Sequence, residues 1–243
     1  MIEVEALTRT YGSFTAVDEL SFLVQPGEVL GLVGPNGAGK TTTLRCIVGI
    51  IPPSRGDIRI DGRSIVSEPL QAKRRIAFMP DEPRFFEHLT VSEHLQFCAR
   101  IYGVADFEKK ADILLNELEL SERRDALPTE LSRGMKQKLV IACGLLHSPE
   151  NLLFDEPLTG LDPIGIKRMK GTILDRARRG ASVIVSSHLL HMVEEICDRI
   201  LILKEGKKVI HGSLNEIASS MPKLKGDLNL EEIFLHFTGA DEG

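Results

Sequence analysis

Most of what this chain lacks bears on function. Its four cysteines, Cys46, Cys98, Cys143 and Cys197, lie far apart and form no C-x-x-C pair. They read as reduced, mostly buried thiols of a cytosolic protein. No dense run of lysine and arginine occurs, and 30 basic residues face 35 acidic ones for a net charge of −5. A nucleic-acid partner therefore has no electrostatic support. Apolar runs such as Leu139 to Leu146 fall far short of the ~20 residues that span a bilayer. If the protein serves a membrane, another chain must cross it. The opening Met1-Ile2-Glu3-Val4-Glu5 carries acids where a signal peptide needs a basic and then an apolar stretch. No internal repeat, no low-complexity segment and no guanine-reading N-K-x-D motif is present. His188 and His191 stand three residues apart without a convergent third ligand, so zinc is not indicated.

Against these absences stands one dense motif. Gly34-Pro35-Asn36-Gly37-Ala38-Gly39-Lys40-Thr41 matches G-x-x-x-x-G-K-[ST] at every fixed position, and Thr42 follows it. Glycines let the backbone wrap an anion closely, and successive N–H groups then point inward as a nest. Lys40 supplies a cation for the outer phosphates, and Thr41 offers a hydroxyl to Mg²⁺. Glu28 to Val33 reads as a buried strand, and Thr41 to Gly49 as a helix whose positive end faces the phosphates. A nucleoside triphosphate is the implied ligand.

The 243 residues are 42% hydrophobic, which suits one large domain or two small ones with ample core. Residues 2–8 and 14–24 read as strands joined by the Tyr11-Gly12 turn. Pro52-Pro53 stops the P-loop helix, Ile58 to Ile60 is a short strand, and Asp61-Gly62 is a hairpin turn. Ile76 to Met79 returns as a strand. Thr90-Val91-Ser92-Glu93 is a capping box, with Gly103 where a helix C-terminal glycine belongs. Asp106 to Leu118 is a second helix. Ser132 caps a third, striped by Met135, Leu139, Ala142, Cys143 and Leu146, and Pro149 ends the pattern. These segments suggest an inserted helical subdomain at about 84–148.

Strand–helix alternation then resumes. Leu152 to Phe154 is an apolar strand, Asp162-Pro163 opens a helix that closes at Gly180, and Ala181 to Ser186 and Arg199 to Leu203 are strands. That pattern predicts a parallel sheet covered on both faces. Ser213-Leu214-Asn215-Glu216 is another capping box. A polar stretch around Lys223 to Asp227 precedes a last helix, Leu230 to Phe237. The expected division is one nucleotide-binding domain over 1–220 and a C-terminal extension with a short helix over 221–243.

Asn151 to Phe154 runs into Asp155-Glu156-Pro157. An acid at that strand end suits the Mg²⁺ shell of a P-loop enzyme, which points to Asp155. Glu156 leaves the strand in another direction and is placed to act on water as a general base.

Leu131-Ser132-Arg133-Gly134-Met135 precedes the striped helix. Here the chain resembles the ATPase subunits of ATP-binding cassette (ABC) transporters, whose signature reads L-S-G-G-Q. The likeness extends to Leu158 to Pro163 (like the D-loop), Ser186-Ser187-His188 (like the H-switch) and Tyr11 ahead of Ala16-Val17 (like the A-loop). Each short motif alone is weak, but together and in order they are specific. The resemblance implies a RecA-like α/β P-loop core with an antiparallel β subdomain and an inserted α-helical subdomain. It implies ATP hydrolysis with Mg²⁺, a second ABC subunit (a copy or a paralogue), an integral membrane permease, and a peripheral place on the cytoplasmic face. Export is the expected direction, since nothing points to import.

By the same resemblance Tyr11 stacks on adenine with Val17 nearby, and Ser132 and the N–H of Gly134 cap the γ-phosphate held by the opposite subunit. His188 donates a hydrogen bond to the γ-phosphate in its own subunit's site and orients Glu156. Three positions depart from the pattern. Arg133 replaces a Gly, Met135 a Gln, and Asp81, in Met79-Pro80-Asp81-Glu82, the Gln that touches Mg²⁺ and senses the membrane partner. Asp81 is shorter and charged but carries oxygen to reach the metal. Arg84-Phe85-Phe86 to Leu89 is a candidate lining for a partner's helix. A cassette protein without a permease, and a nucleotide-binding module that does not hydrolyse, stand as alternatives.

Overall fold

The computed structural model describes residues 1–220 and 229–239. Strand β1 (Ile2–Tyr11) turns at Gly12 into β2 (Phe14–Val24). The fully buried β3 (Val29–Val33) runs into α1 (Lys40–Ile47). That helix ends earlier than its composition suggests, because Gly49 already adopts left-handed φ at 66°. Strand β4 (Arg55–Ile60) pairs with the two-residue β5 (Arg63–Ser64) across Asp61 and Gly62, whose φ values of 49° and 77° are those of a tight primed hairpin. A short helix α2 (Pro69–Lys73) leads to β6 (Ile76–Met79).

Three helices follow. In α3 (Val91–Tyr102) the capping box is complete and Gly103 closes the helix at φ 64°. Next come α4 (Phe107–Glu117) and α5 (Arg133–Leu145), the latter capped by Ser132 Oγ, which accepts from the Met135 N–H. Val91, Leu95, Leu114, Leu115, Leu139 and Ala142 form their shared core. Of the predicted stripe on α5, Leu139, Ala142 and Leu146 are buried, and Met135 and Cys143 are partly so.

The chain re-enters the sheet at β7 (Asn151–Asp155), crosses through α6 (Pro163–Arg178), with Asp162 as cap, to β8 (Ser182–Ser186), and through α7 (Leu190–Ile196) to β9 (Arg199–Lys204). A hairpin returns as β10 (Lys207–Gly212), and α8 (Leu214–Ser219) and α9 (Leu230–Thr238) end the described chain. The predicted polar stretch Lys223 to Asp227 lies outside the described residues.

Two sheets result. Strands β2-β1-β4-β5 form an antiparallel layer, and β10-β9-β3-β8-β7-β6 form a sheet that is parallel except at β10. One core fills the space between the antiparallel layer, α1 and the near face of the large sheet, from Ile2, Leu7 and Leu20 to Leu30, Leu44 and Leu201. The opposite face packs on the helical layer through Phe154, Val183 and Ile173. Fully burying one such side chain stabilises the fold by about 1.5–3 kcal/mol. Asn151 ties the layers at one point: its Nδ2 donates to Asp61 Oδ2 at 2.8 Å and to Arg75 O at 3.0 Å.

Strand order decides where the chemistry sits. β8 lies between β3 and β7, with Leu32 and Asp155 both in register with Ser186. Segments more than a hundred residues apart thus end side by side at the carboxyl edge of the sheet, where ligands of open α/β sheets bind.

Candidate functional site

The loop from Gly34 to Lys40 leaves β3 and closes on itself. Gly39 is the N-cap of α1 with φ 101°, and a Cβ there would stand 2.5 Å from the Ala16 carbonyl oxygen. Only glycine meets both constraints. At Gly34 a Cβ would lie 2.4 Å from the Leu203 carbonyl oxygen, so β9 presses the loop from behind. The β9–β10 turn adds two bonds: the Gly206 N–H donates to Ala38 O at 3.1 Å, and Asp18 N–H to Gly206 O at 2.9 Å. Asn36 and Gly37 remain exposed at the tip.

Lys40 is buried, and its ammonium donates to the carbonyls of Gly34 at 2.6 Å and Pro35 at 3.2 Å. Burial lowers its pKa, while the charges of Glu156 and Asp155 work the other way. A buried cation held by carbonyls on its own loop is suited to an incoming anion, because a phosphate offers the full charge those dipoles lack.

Beside it the Thr41 hydroxyl donates to Asp155 Oδ1 at 3.4 Å, and the Ser186 hydroxyl donates to the same oxygen at 2.5 Å. Asp155 is buried at the end of β7. One hydroxyl and one carboxylate fit Mg²⁺, which takes few protein ligands and completes its shell with phosphate oxygens and water. No cluster of three or more His, Cys, Asp or Glu able to cage a metal occurs among the described residues. The donor set therefore suits a metal that arrives with the nucleotide.

Glu156 has φ 51°, a left-handed conformation rare outside glycine and often stored at functional sites. Its N–H donates to Ser186 O at 3.1 Å, which holds the turn in place. Its carboxylate meets the β8–α7 loop. His188 Nδ1 lies 2.8 Å from Glu156 Oε2, and the His188 N–H and Ser187 hydroxyl both reach that oxygen at 3.4 Å. Glu156 is largely buried, while His188 is 57% exposed and faces outward.

The remaining predicted residues fall into two groups. Tyr11 ends β1, is 44% exposed, and has the Arg9 guanidinium 4.4 Å from its ring centroid. Val17 is fully buried and touches the back of Gly39, so it supports the loop and presents no open surface to a base. Ser132 and Gly134 open α5; Ser132 Oγ accepts from the Met135 N–H, and Gly134 faces the 158–161 loop, where Leu161 Cδ2 would lie 3.5 Å from a Cβ on Gly134. Asp81 places its carboxylate on Arg133 at 3.2 Å. The structure thus gathers Lys40, Thr41, Asp155, Glu156 and His188 on one edge and joins the signature segment to the D-loop-like one beside it.

Sequence reasoning missed the support these residues receive. Ser186 as the partner of Asp155 and Gly206 as a strut of the loop are examples. The turn at Glu205-Gly206 was the available signal, with left-handed φ at both residues.

Comparison with known proteins adds three kinds of likeness. Residues 17–159 match a sequence family described as ABC transporter. The ABC-type transporter ATP-binding protein EcsA of Bacillus subtilis is 34% identical over 100% of this chain and 98% of its own. The SkfA peptide export ATP-binding protein SkfE of the same organism is 37% identical over 85% of this chain and 87% of its own. A solved ATP-binding subunit of an ABC transporter superposes with a TM-score of 0.92 at 33% identity, covering 98% of this chain and 99% of that one.

Proposed function

This chain belongs to the ABC transporter family as an ATP-binding subunit, and we propose that it hydrolyses MgATP between two cassettes to drive export through a membrane permease. The observation that carries the hydrolytic part is the Glu156–His188 contact at 2.8 Å beside the Lys40–Thr41–Asp155 group. Binding alone needs only the loop, Lys40, Thr41 and Asp155. A carboxylate fixed by three donors at the rim of that site is equipment for directing water.

In this reading Lys40 leaves its carbonyl partners for the β- and γ-phosphates, and the nest of N–H groups from Gly34 to Thr42 binds the rest. Thr41 and Asp155 would hold Mg²⁺, which would supply charge neutralisation at the phosphoryl oxygens. Glu156 orients the attacking water in line with the γ-phosphate and accepts its proton, while His188 fixes Glu156 and faces the transferred group. Tyr11 stacks on the base once Arg9 yields its face.

The signature residues Ser132 and Gly134 present a hydroxyl and an N–H at a helix N-terminus, and that pair completes the site of a second copy or paralogue. Two sites then close at an isologous interface, and hydrolysis reopens it. No described helix is long and apolar enough to cross a membrane. In this reading a permease spans the bilayer, with the cassette on its cytoplasmic face. A groove of about 310 Å³ between Val48, Ile50, Phe78 and Tyr102, with Lys73 also lining it, offers a mixed polar and apolar surface for a permease helix. Phe86, Phe97 and Ile101 are exposed as well, and the rings of Phe86 and Phe97 meet with centroids 5.0 Å apart. Outward transport is supported by the relative named for peptide export. Phosphate release from ATP by the purified chain tests the reading. Release that depends on Mg²⁺ and vanishes in Lys40→Ala supports it, and no release at any ATP concentration refutes it.

A further inference from the structure

Two of the three residues that depart from the family pattern meet each other. Arg133 stands where the ABC signature has a glycine, and Asp81 where a glutamine follows the strand. Across 52 residues of chain, Arg133 Nη2 donates to Asp81 Oδ1 at 3.2 Å. The same arginine lies along Gly160, where a Cβ would stand 3.1 Å from its Cδ and 3.2 Å from its Nε. Gly160 has φ 77°, so that approach uses both its missing side chain and its left-handed backbone. One guanidinium thereby joins the segment after β6, the first turn of α5 and the loop after β7.

Local electrostatics give the contact its purpose. Arg133 is the first residue of α5, at the positive end of the helix, and the first turn holds no acid of its own. A cation there is unfavourable. Lys136, one turn on, adds like charge. Asp81 brings in the missing carboxylate from another element. The pair is 61% and 38% exposed, so it adds little to global stability. What it sets is direction, since Ser132 and Gly134 flank Arg133 on both sides.

We propose that Asp81 is a positioning residue: acting through Arg133, it holds the first turn of α5 against Gly160, so that Ser132 and the Gly134 N–H face the γ-phosphate of a partner copy's nucleotide. This rests on the composite-site reading above. It also gives Asp81 a task other than binding the metal.

The test is ATP hydrolysis by the full chain across ATP concentration in Asp81→Asn, Arg133→Ala, the double variant, and Asp81→Glu/Arg133→Lys. Either single change should raise KM about threefold to tenfold, with kcat within about twofold of the parent. The double variant should be no worse than the worse single, and the Glu/Lys pair, which keeps both charges and a similar total reach, should recover most of the loss. Additive losses, or singles equal to the parent, overturn the proposal. So does a fall in kcat alone in Asp81→Asn, which assigns Asp81 to metal or water instead. Hydrogen exchange at amides 133–137 reads the tie without hydrolysis. Exchange should quicken in both singles and quicken no further in the double, and unchanged exchange overturns the tie. A parent chain that releases no phosphate refutes the ATPase reading, and the exchange result then still decides the tie.

Discussion

His188 Nδ1 lies 2.8 Å from Glu156 Oε2, and the imidazole is the exposed member of the pair. The ring therefore meets the carboxylate from the solvent side, and in the proposed mechanism it orients Glu156. Glu156→Gln keeps the shape and removes the proton acceptor. We predict a loss of turnover of about 10²–10⁴-fold, the range of a positioned general base, with ATP affinity within about threefold of the parent. Single-turnover phosphate release alongside equilibrium nucleotide binding measures both. Unchanged turnover removes Glu156 from its role.

Lys40 tests binding separately. Among the described residues its ammonium donates to the Gly34 and Pro35 carbonyls, and it exchanges these dipoles for a full charge when phosphate arrives. Lys40→Ala should weaken ATP binding on the order of tenfold to a hundredfold, the span for hydrogen bonds to charged groups. Calorimetry with a non-hydrolysed analogue reads this directly, and near-parental affinity contradicts it.

At the base-binding end, Tyr11→Ala should raise the ATP dissociation constant by about fivefold to a hundredfold, as aromatic–base stacking of about 1–3 kcal/mol implies. Tyr11→Phe should stay close to the parent, because the ring and not the hydroxyl does the stacking. Equal losses in both variants would place the hydroxyl, or the turn itself, in charge.

Much of this site could be read before the fold was known, because its motifs are local. The P-loop, the acid pair after β7 and the caps at Thr90, Ser132, Asp162 and Ser213 are each specified within a few neighbouring residues. Strand order was not legible in that way. That β8 inserts between β3 and β7, and so puts Ser186 on Asp155, follows from pairing across the whole chain. Helix α7 escaped notice because it is seven residues long and begins without a side-chain cap. Strand β10 reads as a weak alternation, Lys207 to Gly212, and pairs only along one edge. The Arg133–Asp81 contact escaped for the deepest reason. Two substitutions that look like separate losses in a motif compensate each other only in three dimensions.

A stability prediction concerns the helical layer. His147 stacks on Tyr102 with ring centroids 3.8 Å apart, and burial lowers its pKa to about 4 from the usual 6.5. The folded chain keeps this ring neutral, whereas the unfolded chain takes up a proton once pH drops below about 6.5. Stability is thus intact above that pH and falls as pH moves from 6.5 toward 4, by up to about 1 kcal/mol per pH unit. Urea unfolding across this window should show that slope in the parent and a shallower one in His147→Gln. Identical slopes would locate the acid sensitivity elsewhere.

The composite site is tested most directly by mass. Glu156→Gln, incubated with MgATP, should pass from one chain of 26.9 kDa to about twice that mass in light scattering, with one nucleotide per chain. The same variant carrying Ser132→Arg as well should bind ATP and stay at the mass of a single chain. A Glu156→Gln protein saturated with MgATP that remains a single chain at every protein concentration would contradict the account.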